Sequence, residues 1–345
     1  MSFYNVIDKK VVDYCEVVCC LFEHCNFNCV FCPQNHNSVD YANRADIMAK
    51  APIIANYING NTRSKYFSIH IMGGELFQDR WINEGFLEIY EDFINEIQSL
   101  VTTDKEVVYN FVTNLAFTAR TEMLYFLEKN NLKVSISYDP HGRFNPAQKK
   151  IFLENLKYFR HHIRMVSVVM TKKSMESIIE GDDTFDLLYD LYKVDFDHLL
   201  PSTGTKADRT LMPKESEVLA FYKVLVDRYP ECINILPFTN GKPQNKMSCT
   251  RGNSLTVMPD SSIPKGCSGS VLLQDYNTPD LGGTQIIENW VDKYNCFQCD
   301  YFQRCPMSCF IKADFKHIEE DLDDCVFRQT FKYRDARNKI DVKEA

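Results

Sequence analysis

Cys25-Asn26-Phe27-Asn28-Cys29-Val30-Phe31-Cys32 sets three cysteines at a CxxxCxxC spacing, and the meaning of this octapeptide decides how the chain is read. It follows residues 12–21, an apolar, β-branched run that predicts a first strand, so the trio stands in the loop at that strand's carboxyl end. Working outward, strand-like runs recur at 67–72, 106–112, 132–137, 163–170 and 194–200. Amphipathic stretches alternate with them at 45–58, 83–100, 120–129, 149–159, 175–192 and 214–229. Six strand–helix repeats predict an α/β chain with a parallel sheet and its helices outside, because parallel neighbours need a long crossover. Loops that follow the strands of such folds collect at one rim, where ligands bind.

Three thiolates hold three corners of a cubane iron–sulfur cluster and leave the fourth iron without a protein ligand. An iron with an open position takes a substrate or cofactor, which a four-cysteine structural site cannot do. On spacing alone, a zinc knuckle with a distant fourth ligand, or three packed core cysteines, stay open as alternatives.

The 345 residues are 45% apolar and 25% charged, which excludes disordered, collagen-like and coiled-coil chains. The length fits one large domain, or a large one with a smaller appendage. With 39 basic and 47 acidic side chains the net charge is -8, which argues against a nucleic-acid partner. Residues 1–10 form no signal-peptide core, and no apolar run reaches the roughly 18–20 residues of a membrane helix. A cytoplasmic protein without membrane contact is expected, and there 14 cysteines point to metal or chemistry rather than disulfides.

Cys249, Cys267, Cys296, Cys299, Cys305, Cys309 and Cys325 form a second group, within a turn-rich stretch too poor in apolar residues for an ordinary core. Metal clips would supply the missing stability, and two zinc sites are the plain alternative. The repeat breaks at 236–246, dividing the chain into a core domain, 1–240, and a cysteine-rich domain, 241–345. Cys15, Cys19 and Cys20 lie in the first predicted strand and suit core packing, and Cys232 opens a short predicted strand at 232–237.

The trio resembles the signature of the radical S-adenosylmethionine (SAM) enzymes, CxxxCxΦC, with Phe31 as the aromatic before the last cysteine. The likeness continues at successive strand ends: Gly73-Gly74-Glu75 is similar to the family's GGE motif, Thr113-Asn114 to its TN element, and Ser137 with Asp139 to its S-x-D element. The resemblance implies a partial (β/α)6 TIM-like barrel whose Cys25, Cys29 and Cys32 carry a [4Fe–4S] cluster. SAM would dock at the open iron, near GGE for its amine and near Ser137 for its ribose or carboxylate, and yield a 5′-deoxyadenosyl radical. Arg143 would pair with the SAM carboxylate or make a loop salt bridge.

The spacing Cys296-x2-Cys299-x5-Cys305-x3-Cys309 resembles the SPASM extension, which implies two auxiliary [4Fe–4S] clusters. Cys296, Cys299, Cys305 and Cys325 would hold the outer one, and Cys249, Cys267 and Cys309 the inner one. Ser262 replaces a family glycine, and no further cysteine follows Cys249 closely, which leaves the inner cluster's fourth ligand open. The implied activity is modification of a peptide or protein during maturation of ribosomally made peptides: a crosslink, an epimerisation or an oxidation. A flavodoxin or ferredoxin would supply the electron. Only 24 residues precede Cys25, so leader recognition would need a separate protein or an exposed sheet edge that accepts an added strand, or there would be no leader. An epimerase would use a thiol as hydrogen donor, for which Cys232 is the candidate provided it faces the cavity. The alternatives are a small-molecule substrate such as an aminosugar or nucleotide, and a non-catalytic zinc- or cluster-binding scaffold.

Overall fold

The computed structural model describes residues 14–32, 34–198, 209–239, 254–263, 291–302, 304–305 and 322–344. Its centre is one sheet of seven parallel strands in the order β6-β5-β4-β3-β2-β1-β7, curled into a half-barrel between the edge strands β6 and β7. The strands are β1 (Tyr14–Cys20), β2 (Tyr66–Met72), β3 (Glu106–Thr113), β4 (Lys133–Ser137), β5 (Ile163–Met170), β6 (Lys193–His198) and β7 (Ser254–Val257). Because all run the same way, every loop leaving a strand's carboxyl end opens on one rim.

Period-two alternation gives the sheet two unlike faces. Val17, Ile69, Phe111, Ile136, Val166 and Phe196 are buried on the helix-covered face. The other face carries a polar row: the Ser68 hydroxyl meets His70 Nε2 at 3.2 Å, Asn110 Nδ2 meets His70 Nδ1 at 3.2 Å, and Ser135 donates to Asn110 Oδ1 at 3.0 Å.

Between the strands run α1 (Arg44–Met48), α2 (Lys50–Gly60), α3 (Asp79–Asn83), α4 (Phe86–Leu100), α5 (Arg120–Lys129), α6 (Pro146–Tyr158), α7 (Lys172–Glu180) and α8 (Asp183–Leu191). Three stretches expected as single helices are broken. The first pauses at Ala49. The second pauses at Gly85 and the third at Gly181, both with positive φ. Asp182 then accepts from Phe185 N at 2.7 Å and restarts α8 as its N-cap.

Two differences from expectation shape the molecule's edges. Residues 232–237 form a turn leading into α10 (Leu236–Thr239), after α9 (Glu215–Arg228), and not a strand. Asn234 substitutes for a strand there: its Oδ1 accepts from Phe196 N at 2.7 Å and its Nδ2 donates to Phe196 O at 2.9 Å, which satisfies the edge of β6. At the opposite edge, Ser254–Val257 adds a seventh strand beside β1, although it follows the expected domain division. α11 (Val326–Glu344) packs on α9, with Phe331 against Phe238 (4.5 Å between ring centroids) and stacked on Tyr301 (4.6 Å). Cys296, Cys325, Val326 and Phe331 belong to the same apolar core as β1–β6, so the described cysteine-rich part shares its interior with the half-barrel.

Candidate active site

The loop after β1 is pinned on three sides. Cys25 N donates to His36 O at 3.1 Å, closing the loop on itself, and Cys32 N donates to Cys29 O at 3.1 Å in a tight turn. Val30 N donates to Gly142 O at 3.3 Å, tying the loop to the one that follows β4. Gly142 is glycine for two reasons: its φ is +80°, and a Cβ there would lie 2.7 Å from Val30 Cγ2. Phe27, Cys29, Phe31 and Ala116 form a small apolar cluster of their own, with Cys25, Cys32 and Phe144 packed against it.

The GGE segment is laced to the chain just ahead of Cys25. Gly74 N donates to Phe22 O and Glu75 N to His24 O, both at 2.9 Å. A Cβ on Gly74 would stand 2.1 Å from His24 O, so nothing larger than glycine fits against this backbone. The buried Glu75 carboxylate accepts from Phe77 N (2.9 Å), the Thr113 hydroxyl (2.9 Å) and Asn114 N (2.5 Å). Burial pushes its pKa up against the downward pull of those bonds. Asn114 Nδ2 then reaches Asn26 Oδ1 in the cysteine loop at 2.8 Å. Three motifs from three strand ends are thus one hydrogen-bonded unit.

At the end of β4, Asp139 is fully buried and divided between two partners. Its Oδ1 accepts from Val169 N at 2.7 Å and its Oδ2 from Arg143 Nε at 2.5 Å. The loop salt bridge is therefore the arrangement that forms. It lays the Arg143 guanidinium 5.3 Å from the centre of the Phe31 ring. The half-buried Ser137 ends β4 on the same rim.

The donor set fits an iron–sulfur cluster. The three thiols share one loop, and Cys25 feels the charges of both Cys29 and Cys32. Burial raises the pKa of all three, that of Cys32 up to about 11. They are neutral when metal-free, and metal binding is what removes such protons. Among the described residues no three His, Cys, Asp or Glu side chains converge to grip a single metal ion. A cubane instead takes one thiolate per iron, so its sulfurs stand apart.

Of the second group, Cys296, Cys299 and Cys325 stand together, each felt electrostatically by Cys296 or Arg328, and Arg328 Nε donates to Cys299 Sγ at 3.4 Å. Cys305 follows in the next turn, its N–H on Tyr301 O at 2.8 Å. Cys249, Cys267 and Cys309 lie outside the described residues. Ser262 is described: its N–H and hydroxyl both donate to Asp260 Oδ1, and the left-handed residue of that turn is Ser261, φ +65°.

Cys15, Cys19, Cys20 and Cys232 are all buried in the core. Cys232 also sits at the wrong end of the sheet for a hydrogen donor. The neighbouring Ile233 N bonds to Val194 O, near the start of β6, whereas the trio stands where strands end. The expectation that it returns a hydrogen atom from the cavity wall is withdrawn on that geometry. Sequence reasoning missed Asn26 and Gly142. Gly142 was legible as a turn residue in DPHGRF, but the Asn26–Asn114 contact, across 88 residues, left no local signal.

No protein-family model matches the chain, and no curated protein matches it in sequence. Solved structures do resemble it. With histidine-tagged anSMEcpe with bound AdoMet it shares a TM-score of 0.61 at 15% identity, over 96% of this chain and 98% of that one. Native anSMEcpe with bound AdoMet and the Cp18Cys peptide gives 0.61 at 17% identity, over 95% and 98%. SuiB of Streptococcus suis bound to its precursor peptide SuiA gives 0.54 at 16% identity, over 94% and 78%. The half-barrel is therefore a fold shared with these AdoMet-bound and peptide-bound proteins.

Proposed function

We propose that this chain is a radical SAM enzyme that modifies a peptide or protein. One observation carries the reading: the cysteine trio, the GGE and TN segments and the S-x-D loop come from four strand ends and are joined at one rim by direct hydrogen bonds. The peptide-bound relatives of the same fold, anSMEcpe with Cp18Cys and SuiB with SuiA, support a peptide as substrate over a small molecule.

Cys25, Cys29 and Cys32 would hold a [4Fe–4S] cluster with one open iron. When bound, cluster and SAM supply reductive cleavage of a carbon–sulfur bond and a 5′-deoxyadenosyl radical that takes a hydrogen atom from the substrate. The protein's own part is placement and exclusion of water. Gly73 and Gly74 let the backbone approach without side chains in the way. Glu75 holds the Thr113–Asn114 turn in place from beneath, and its negative charge lies near Cys25. Ser137 offers a hydroxyl at the rim for the ribose or carboxylate of SAM. Phe27 and Phe31 keep solvent from the loop.

Cys296, Cys299, Cys305 and Cys325 would carry an outer auxiliary [4Fe–4S] cluster, and Cys249, Cys267 and Cys309 an inner one. A flavodoxin- or ferredoxin-type donor in the cytoplasm completes the proposal. The test is anaerobic reconstitution followed by mass spectrometry of a candidate precursor peptide co-expressed with the chain. The expected result is SAM-dependent 5′-deoxyadenosine release and a mass change in the peptide, both absent in a Cys25→Ala, Cys29→Ala, Cys32→Ala variant. Zinc in place of iron, with SAM left intact, would sink the reading.

A further inference from the structure

The reading above requires one electron from outside for each SAM cleaved, and the surface beside the cysteine loop has the character of a docking site. A cavity of about 750 Å³ opens there, with Cys25, Phe27, Asn37, Arg143 and Phe144 in its walls. A second, of about 520 Å³, adjoins it through Phe144 and Asn145 and is lined by Lys149, Lys150, Leu153 and Lys157 of α6. Val30, inside the cysteine loop, is 45% exposed, although its neighbours Cys29 and Phe31 are buried.

This ground is rigid. Asn145 and Gln148 cap α6 reciprocally at 2.9 Å, and Phe144 packs edge-on against Phe27 at 5.5 Å between centroids. With a rise of about 1.5 Å per residue, Lys149 and Lys150 stand roughly 5 Å along the axis from Pro146, and Lys157 roughly 17 Å. Glu154, the acidic member of the cavity wall, is already paired with Arg120 at 2.7 Å. Glu154 also feels the charges of Lys150 and Lys157, but its close contact goes to Arg120, so the wall keeps an excess of positive charge. On a chain of net charge -8, this is a local positive patch with an apolar centre beside the redox loop.

We infer that this surface docks an acidic one-electron carrier protein of the flavodoxin or ferredoxin class, with Lys149, Lys150 and Lys157 steering it and Val30 and Phe144 at the contact. The inference rests on the proposed function and gives its electron donor a docking surface on this chain. The carrier loses one electron to the cluster on the cysteine trio, and no proton or group moves with it. Charge complementarity of this kind sets the rate of encounter and fades as salt rises.

The test compares two reductants on the reconstituted full chain and on a Lys149→Glu, Lys150→Glu, Lys157→Glu variant. With dithionite, which needs no docking, 5′-deoxyadenosine formation stays within about twofold of wild type; with reduced flavodoxin at low salt it falls about tenfold or more. Calorimetric titration of oxidised flavodoxin, which reads binding without turnover, shows Kd rising about tenfold. Reversal of Lys133, Arg164 and Lys193, which line a cavity at the opposite rim, changes neither. Equal losses with both reductants, or an unchanged flavodoxin Kd, overturn the inference. A variant that weakens binding of a candidate peptide and leaves flavodoxin untouched also overturns it, and gives the patch to the substrate. If wild type fails to cleave SAM with dithionite, the functional reading falls, and the titration still decides this surface.

Discussion

At the scale of single residues, Glu75 joins fold to function. Its carboxylate satisfies two backbone N–H groups and one hydroxyl in a buried setting. Glu75→Gln keeps the shape but turns an amide NH2 toward donors, leaving a buried group unpaired at a cost of about 1–3 kcal/mol. Urea denaturation should show that loss, and SAM affinity should fall with it, because Asn114 would no longer hold Asn26. Gly142→Ala should damage the same loop from the other side. It adds left-handed strain of about 1–2 kcal/mol and a contact with Val30, and lowers cluster occupancy, read as iron per chain. Lys50 gives a pH signature. It is buried, its Nζ donates to Asp46 O at 2.8 Å, and burial lowers its pKa below the ordinary 10.5. Between that lowered value and 10.5 the unfolded chain binds more protons than the folded one, so stability rises with pH across that window. Below it the full cost of burying a charge remains. Lys50→Met should abolish the rise, as denaturation midpoints at about pH 8 and about pH 10 would show.

At the scale of elements, what was legible follows from how each element gains its stability. β2 to β6 were readable because each keeps β-branched or aromatic residues at alternate positions for the buried, helix-covered face. The motif residues were readable because the fold delivers them at successive strand ends. β7 was not, since its four residues lie among turn formers and gain their place only by pairing with β1. Gly85 and Gly181 did carry a local signal, and the helical periodicity on either side of each masked it. The Asn234 bridge could not be read at all, because a side chain imitating a strand has no period. Its loss is nonetheless measurable. Asn234→Ala would leave Phe196 N–H and C=O without partners at the buried edge of β6, costing about 1–3 kcal/mol for each group. A matching drop in the unfolding midpoint is expected, with hydrogen exchange fastest in β6; protection of β6 at wild-type levels would contradict the role given to Asn234.

At the scale of the whole molecule, the two described cysteine groups differ in what surrounds them. Cys25, Cys29 and Cys32 lie in or against a small apolar cluster separate from the main core. Cys296 and Cys325 are members of the main core itself, alongside Tyr222, Phe238 and Phe331. A cluster held by the first group is thus attached to a scaffold that β1–β7 already hold together. A cluster held by the second would lie against that shared interior. The two should therefore separate stability from chemistry. Alanine at Cys25, Cys29 and Cys32 should remove about four irons and all SAM cleavage while the melting temperature moves by less than about 2 °C. Alanine at Cys296 and Cys325 should also remove about four irons, but lower the melting temperature by more than about 5 °C, because it opens a void and an unligated pocket in the shared core. Iron analysis with calorimetry on both variants decides the matter. Equal melting shifts would mean that the interior does not depend on the outer group.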